Sequence, residues 1–132
     1  MAALSAARNT SRRDGTLLDF ARASSVTCYP GAIGCLNSSG LATPGATATT
    51  LLAVGRVKRQ YTDDAGNVRV EMERGVFKFG NSSAGDLIAN TEYGKQVFIV
   101  DDQTVAKTNG GSTRSVAGIC RGVDSDGVWV EF

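Results

Sequence analysis

From Val68 to Glu73 the side chains alternate, with Val68, Val70 and Met72 apolar and Arg69, Glu71 and Glu73 charged. That period of two predicts a strand with one dry and one wet face. The same reading extends along most of the chain. Ala32–Leu36 and Leu41–Pro44 flank the turn residues Asn37-Ser38-Ser39-Gly40 and predict a small hairpin entered from Tyr29-Pro30-Gly31. Leu51–Tyr61 starts apolar and turns basic at Arg56, Lys58 and Arg59, as a strand running from core to rim would. Asp63-Asp64-Ala65-Gly66-Asn67 is a turn, because glycine tolerates the left-handed backbone and the acidic side chains bond nearby amides.

Gly75 permits a bend, and Val76-Phe77-Lys78-Phe79 continues as a strand. Residues 80–85 read as a loop, and Asp86–Asn90 fits either one helical turn or a short strand. Val97-Phe98-Ile99-Val100 is apolar on both faces, as a fully buried strand would be, and stops at Asp101-Asp102. A loop at 108–112 leads to a strand over Val116–Val123. The turn Asp124-Ser125-Asp126-Gly127 then leads into Val128–Phe132, where Val128, Val130 and Phe132 share a face. Short strands separated by turn signals predict an all-β domain, a small barrel, a tulip-like body or a sandwich.

Charge divides the chain more sharply than hydropathy does. Residues 1–25 carry Arg8, Arg12, Arg13 and Arg22 against Asp14 and Asp19, among small polar residues, and predict an extended arm. No residue from Val26 to Gly55 is charged, which fits contact with protein better than a fully solvated surface. The expected organisation is an arm over 1–25 and one β-rich domain over 26–132. The length of 132 residues suits one core that needs neither metal nor disulfide.

Fourteen Lys and Arg against thirteen Asp and Glu leave a formal charge of +1, too small for global attraction to nucleic acid or an anionic membrane. The chain has no histidine. Ser-His-Asp and Cys-His catalysis and His-ligated metal sites are therefore excluded within one chain. Of Lys58, Lys78, Lys95 and Lys107, none stands in a Ser-x-x-Lys arrangement, and no phosphate-binding glycine loop is present. Asp63-Asp64 and Asp101-Asp102 sit where turns want them. Asp124-x-Asp126-Gly127 lacks the remaining ligands of a calcium loop. The expectation is a protein that is not an enzyme, with no cofactor, no small-molecule substrate and no membrane span.

Cys28, Cys35 and Cys120 form no paired pattern, so free buried thiols are expected, with a Cys28–Cys35 bridge as the alternative. The first residues, Met1-Ala-Ala-Leu-Ser, lack an apolar core, and the expectation is a protein made and used in solution inside a cell. Trp129 reads as a core or interface residue whose indole N–H finds one partner.

Three runs in the second half carry a family resemblance: Arg74-Gly75-Val76-Phe77-Lys78-Phe79, Val97 through Val105, and Val116-Ala117-Gly118-Ile119 leading to Val123-Asp124-Ser125-Asp126-Gly127-Val128-Trp129-Val130. From Gly31 to Phe132 the chain resembles the capsid decoration, or cement, proteins of tailed bacteriophages. The resemblance implies a small β-rich protein on the outer surface of the virion, assembled in the bacterial cytoplasm. Its partner would be the major capsid protein, whose subunits it would clamp as a homo-oligomer, a trimer rather than a dimer. The family supplies no catalytic residues. On this reading Arg8, Arg12 and Arg13 of the arm lie on the shell, and Tyr29, Pro30, Ile33 and Leu36 of the uncharged stretch form the capsid or subunit interface. Direct nucleic-acid binding is not expected. The alternative is a small β-barrel binding module for single-stranded nucleic acid or carbohydrate, using the rim from Arg56 to Tyr61.

Overall fold

The computed structural model describes residues 2–132. They form an all-β sandwich of two five-stranded antiparallel sheets, and neither ladder closes into a barrel. The first sheet holds β1 (Leu17–Ala21), β2 (Ile33–Leu36), β3 (Ala42–Pro44), β4 (Leu52–Thr62) and β5 (Val68–Glu73), in the order β1-β5-β4-β2-β3. The second holds β6 (Val76–Phe79), β7 (Gln96–Ile99), β8 (Val105–Ala106), β9 (Val116–Asp124) and β10 (Gly127–Glu131), in the order β6-β10-β9-β7-β8.

These orders are the same order. Advancing each strand of the first sheet by five converts it into the second, and the correspondence extends to single residues. A bulge interrupts β2 against β4 between Gly34 and Cys35, and β7 against β9 between Val97 and Phe98, at the matched position. Gly55 on β4 matches Gly118 on β9. A Cβ on either would stand 2.2 Å from a carbonyl oxygen, that of Glu73 or of Glu131, so only glycine fits the crossing of these strands. Each sheet is drawn in by one parallel bridge between its first strand's end and its third strand, Arg22 to Ala42 and Gly80 to Thr104. Entry into β2 and β7 is also shared. Gly31 N–H donates to the Val57 carbonyl and Gly94 N–H to that of Cys120, both from positive-φ turns that favour glycine.

The two halves are therefore an internal structural repeat. Each has its own core. In the first, Cys28, Ala32, Ala42, Val57, Val70 and Met72 are buried, with Phe20 packed against them. In the second the matched residues Val105, Cys120, Val128, Val130 and Phe79 are buried together with Ile88, Val97, Ile99 and Ala117. Burying each valine, isoleucine, methionine or phenylalanine among them contributes about 1.5–3 kcal/mol before ordering costs, and each alanine about 0.8 kcal/mol or less.

The arm is shorter than the charge pattern suggested. Leu17–Ala21 pairs with β5 over five rungs, from Leu17 opposite Glu73 to Ala21 opposite Arg69, because Leu18 and Phe20 alternate with Asp19 and turn inward. Asp86–Asn90 falls between the two readings offered for it. Short 3-10 turns over Ala84–Asp86 and Asn90–Glu92 flank the extended Leu87 and Ala89, with the Ile88 side chain between them buried. Val97 and Ile99 are buried, whereas Phe98 faces outward and is half-exposed. Trp129 is not a core residue. It lies on the solvent face of β10 and its indole N–H donates to Asp124 Oδ2 at 2.8 Å. The three cysteines are free and buried.

Candidate functional site

The residues singled out from the sequence fall in three places. Arg8, Arg12 and Arg13 lie on residues 2–16, which are exposed throughout and belong to no strand, with only Thr16 tied to the body, its carbonyl accepting from Arg74 N–H at 2.8 Å. This arm runs directly into β1, so the β1–β5 ladder anchors it to the body.

Tyr29 and Pro30 form the tip of the turn before β2. Tyr29 is 65% exposed, and with Gly31, Ala32, Asp102 and Gln103 it lines a depression of about 260 Å3. Ala32 N–H donates to the Tyr29 carbonyl at 3.1 Å, which holds the tip closed. The matched turn of the second half, Glu92-Tyr93-Gly94-Lys95, also presents an exposed tyrosine, Tyr93, with the Arg121 guanidinium over its ring.

Ile33 is not surface. It is wholly buried, and with Cys35 it packs into the second half's core from the outer face of β2. Its carbonyl accepts from Gly45 N–H and its own N–H donates to the Asp102 carbonyl at 2.7 Å. Leu36, three positions on and so on the opposite face, is half-buried and lines an open groove. The uncharged stretch thus owes part of its character to burial inside its own molecule, since Cys28, Ala32, Ile33, Cys35 and Ala42 are all core.

That groove was not anticipated. It occupies about 310 Å3 at one end of the first sheet and is lined by Leu18, Phe20, Leu36, Leu52, Val54 and Arg74, among others. Its residues come from distant segments, so no local pattern announces it. Leu52, at the start of β4, is its most exposed apolar member at 66%.

The basic rim faces carboxylates. Arg56 bonds Glu73 at 2.6 Å and its guanidinium lies 4.5 Å from the Phe77 ring centre, while Lys58 and Arg59 both approach Glu71. Tyr61 stacks under Arg59 and donates its hydroxyl to Asp19, which pushes the phenol's pKa up. These cations are largely compensated by neighbours. The aspartates of the turns act locally: Asp63 Oδ1 accepts from the Ala65 and Asn67 amides, and Asp101 Oδ1 from that of Gln103. Asp124 and Asp126 both reach Lys78, which holds the Asp126 carboxyl below the ordinary carboxylate value. Burial pushes the Cys28 thiol up to about 11 and that of Cys35 to about 12, so neither is a nucleophile at neutral pH.

Comparison of the chain with protein-family models, curated proteins and solved structures found no match.

Proposed function

We propose that this is a capsid decoration protein of a tailed bacteriophage, binding the outside of the assembled shell and bridging subunits of the major capsid protein as a homotrimer. The observation that carries the reading is the arm. Residues 2–16 are exposed along their whole length, bear three arginines against one aspartate, and are tied to a rigid β body by an edge strand. Such a segment orders on a partner surface and wraps it, which suits a large protein lattice better than a small ligand. The resemblance of the strands from Arg74 to Val130 to the cement proteins supports the same reading.

Removing residues 1–15 leaves β1 and its five rungs intact and deletes the arm alone. Added to capsids that lack the protein, the truncated chain is expected to lose most of its occupancy relative to the full chain, measured as copies bound per shell after sedimentation. Undiminished occupancy would defeat the arm's role.

A further inference from the structure

The two halves pack one way only. The first half presents the outer face of β2, Ile33 and Cys35, and the segment 45–51 to the end of the second sheet. Thr47 Oγ1 donates to the Val100 carbonyl at 2.7 Å, Ser115 Oγ donates to the Ala48 carbonyl at 2.6 Å, and Leu51 N–H donates to Ser115 Oγ. A two-fold arrangement would require the matched segment 108–114 to reach the first half in the same manner. Instead it folds back within its own half, onto Asp86, through Thr108 and Arg114.

This asymmetry leaves one socket filled and one open. The end of the second sheet that receives the first half contains Phe79, Ile99, Ser115 and Ala117, all buried. Their matched residues in the first half, Phe20, Leu36, Leu52 and Val54, line the open groove and are more exposed in every case, the extreme pair being Ser115 at 6% and Leu52 at 66%. The complementary surface is unpaired as well. Phe98 and Val116, cross-strand neighbours on β7 and β9, match Cys35 and Ala53 of the packed face, yet Phe98 is only half-buried and Val116 is 37% exposed, while the match of Ile33 is the exposed and polar Gln96.

We infer that the protein self-associates head to tail: the β7/β9 face of one copy, centred on Phe98 and Val116, seats in the first-half groove of the next. The occupant is a second copy because the molecule already buries the equivalent strand pair once, Cys35 and Ala53 of β2 and β4 against the second half, although Ile33 and segment 45–51 of that contact have no counterpart on the β7/β9 face. A contact between different patches repeats from copy to copy until it closes into a ring or runs on as a filament. The inference names the contact that would build the homotrimer of the proposed function but is argued from the repeat, and self-association of a chain that does not bind capsids would leave it standing while the shell reading fails.

Two single substitutions at exposed positions test it. Leu52→Lys charges the groove and Val116→Lys charges the face. Each is expected to weaken self-association roughly tenfold or more, as a charge at the centre of an apolar contact does. Sedimentation equilibrium of the full chain should give an oligomer for the wild type and a monomer for each variant. An equimolar mixture of the two variants retains one intact pair of surfaces, the groove of the Val116→Lys chain and the face of the Leu52→Lys chain. It should form a one-to-one heterodimer and nothing larger. A monomeric wild type at every soluble concentration overturns the inference without recourse to a variant. So does wild-type mass in either variant, or a mixture in which no heterodimer forms.

Discussion

The first half of the molecule gives its β3–β4 segment to its neighbour, and the second half keeps the equivalent segment for itself. Both halves have the same strand order, the same bulge and the same glycine crossing, so the arrangement of the strands does not account for the difference in packing. It arises in the connections and in the outer face of β2, where Ile33 stands in place of Gln96 on β7. Segment 45–51 is uncharged and packs across the seam, where Ser115 satisfies its backbone. Segment 107–115 carries Lys107 and Arg114 and is pinned by Asp86, a residue of the longer β6–β7 connection, at 2.5 Å from Thr108 and 3.2 Å from Arg114. One scaffold thus supports an inward-facing and an outward-facing version of the same element.

The most severe way to break the comparison is at the glycine crossing. Gly55→Ala and Gly118→Ala each place a methyl against a backbone carbonyl that cannot move without opening a strand pair. Each should destabilise by about 3 kcal/mol or more, measured by urea unfolding. Equal losses would show that the crossing does the same work in both halves, and a mild effect at either site would end the equivalence.

A subtler comparison exchanges volume. Gly34 lies against Met72 in the first core, and a Cβ there would approach the Met72 sulfur to 2.7 Å. The matched pair in the second core is Val97 and Val130, both buried. Gly34→Val alone should cost about 1–3 kcal/mol by overpacking, and adding Met72→Val should recover a large part of it. A double-mutant cycle without coupling would show that the two cores do not share a packing plan.

The smallest effect concerns Asp86. The hydroxyl of Thr108, with Arg114 beside it, holds its carboxyl below the ordinary carboxylate value. A group whose pKa is lowered on folding stabilises at neutral pH, and loses that contribution as the pH falls through its folded pKa. Asp86→Asn should therefore melt slightly below the wild type at pH 7, and the difference should begin to shrink only below about pH 4 and vanish once the pH is below the lowered folded pKa. A constant difference down to low pH would mean that the carboxylate's charge does not hold the segment.

Much of the fold was readable along the chain. The alternation at Val68–Glu73, the turns at 63–67 and 124–127 and the hairpin at 32–44 all appear as expected, because each depends on neighbours in sequence. The repeat was hidden. Few matched residues are identical, among them Phe20 and Phe79, Gly31 and Gly94, Gly55 and Gly118, and Glu73 and Glu131. The matched residues keep one spacing from Gly31 to Val57, but loops of unequal length change it at β1 and at β5, and the low identity leaves little for a search for a fixed period to find. Ile33 reads as an interface residue in sequence because the lack of charge from Val26 to Gly55 does not distinguish a contact with another protein from one with the chain's own second half. Leu17–Ala21 reads as part of the arm in sequence because Asp19 and the flanking Arg22 mask a short strand.

The three thiols occupy three different compartments. Cys28 belongs to the first core, Cys120 to the second, and Cys35 is buried at the seam between them. A buried thiol reacts with an alkylating reagent only when its surroundings open, so each labelling rate measures a local opening. The chain therefore carries a native set of reporters that distinguishes loosening of either half from separation of the two, with no probe introduced.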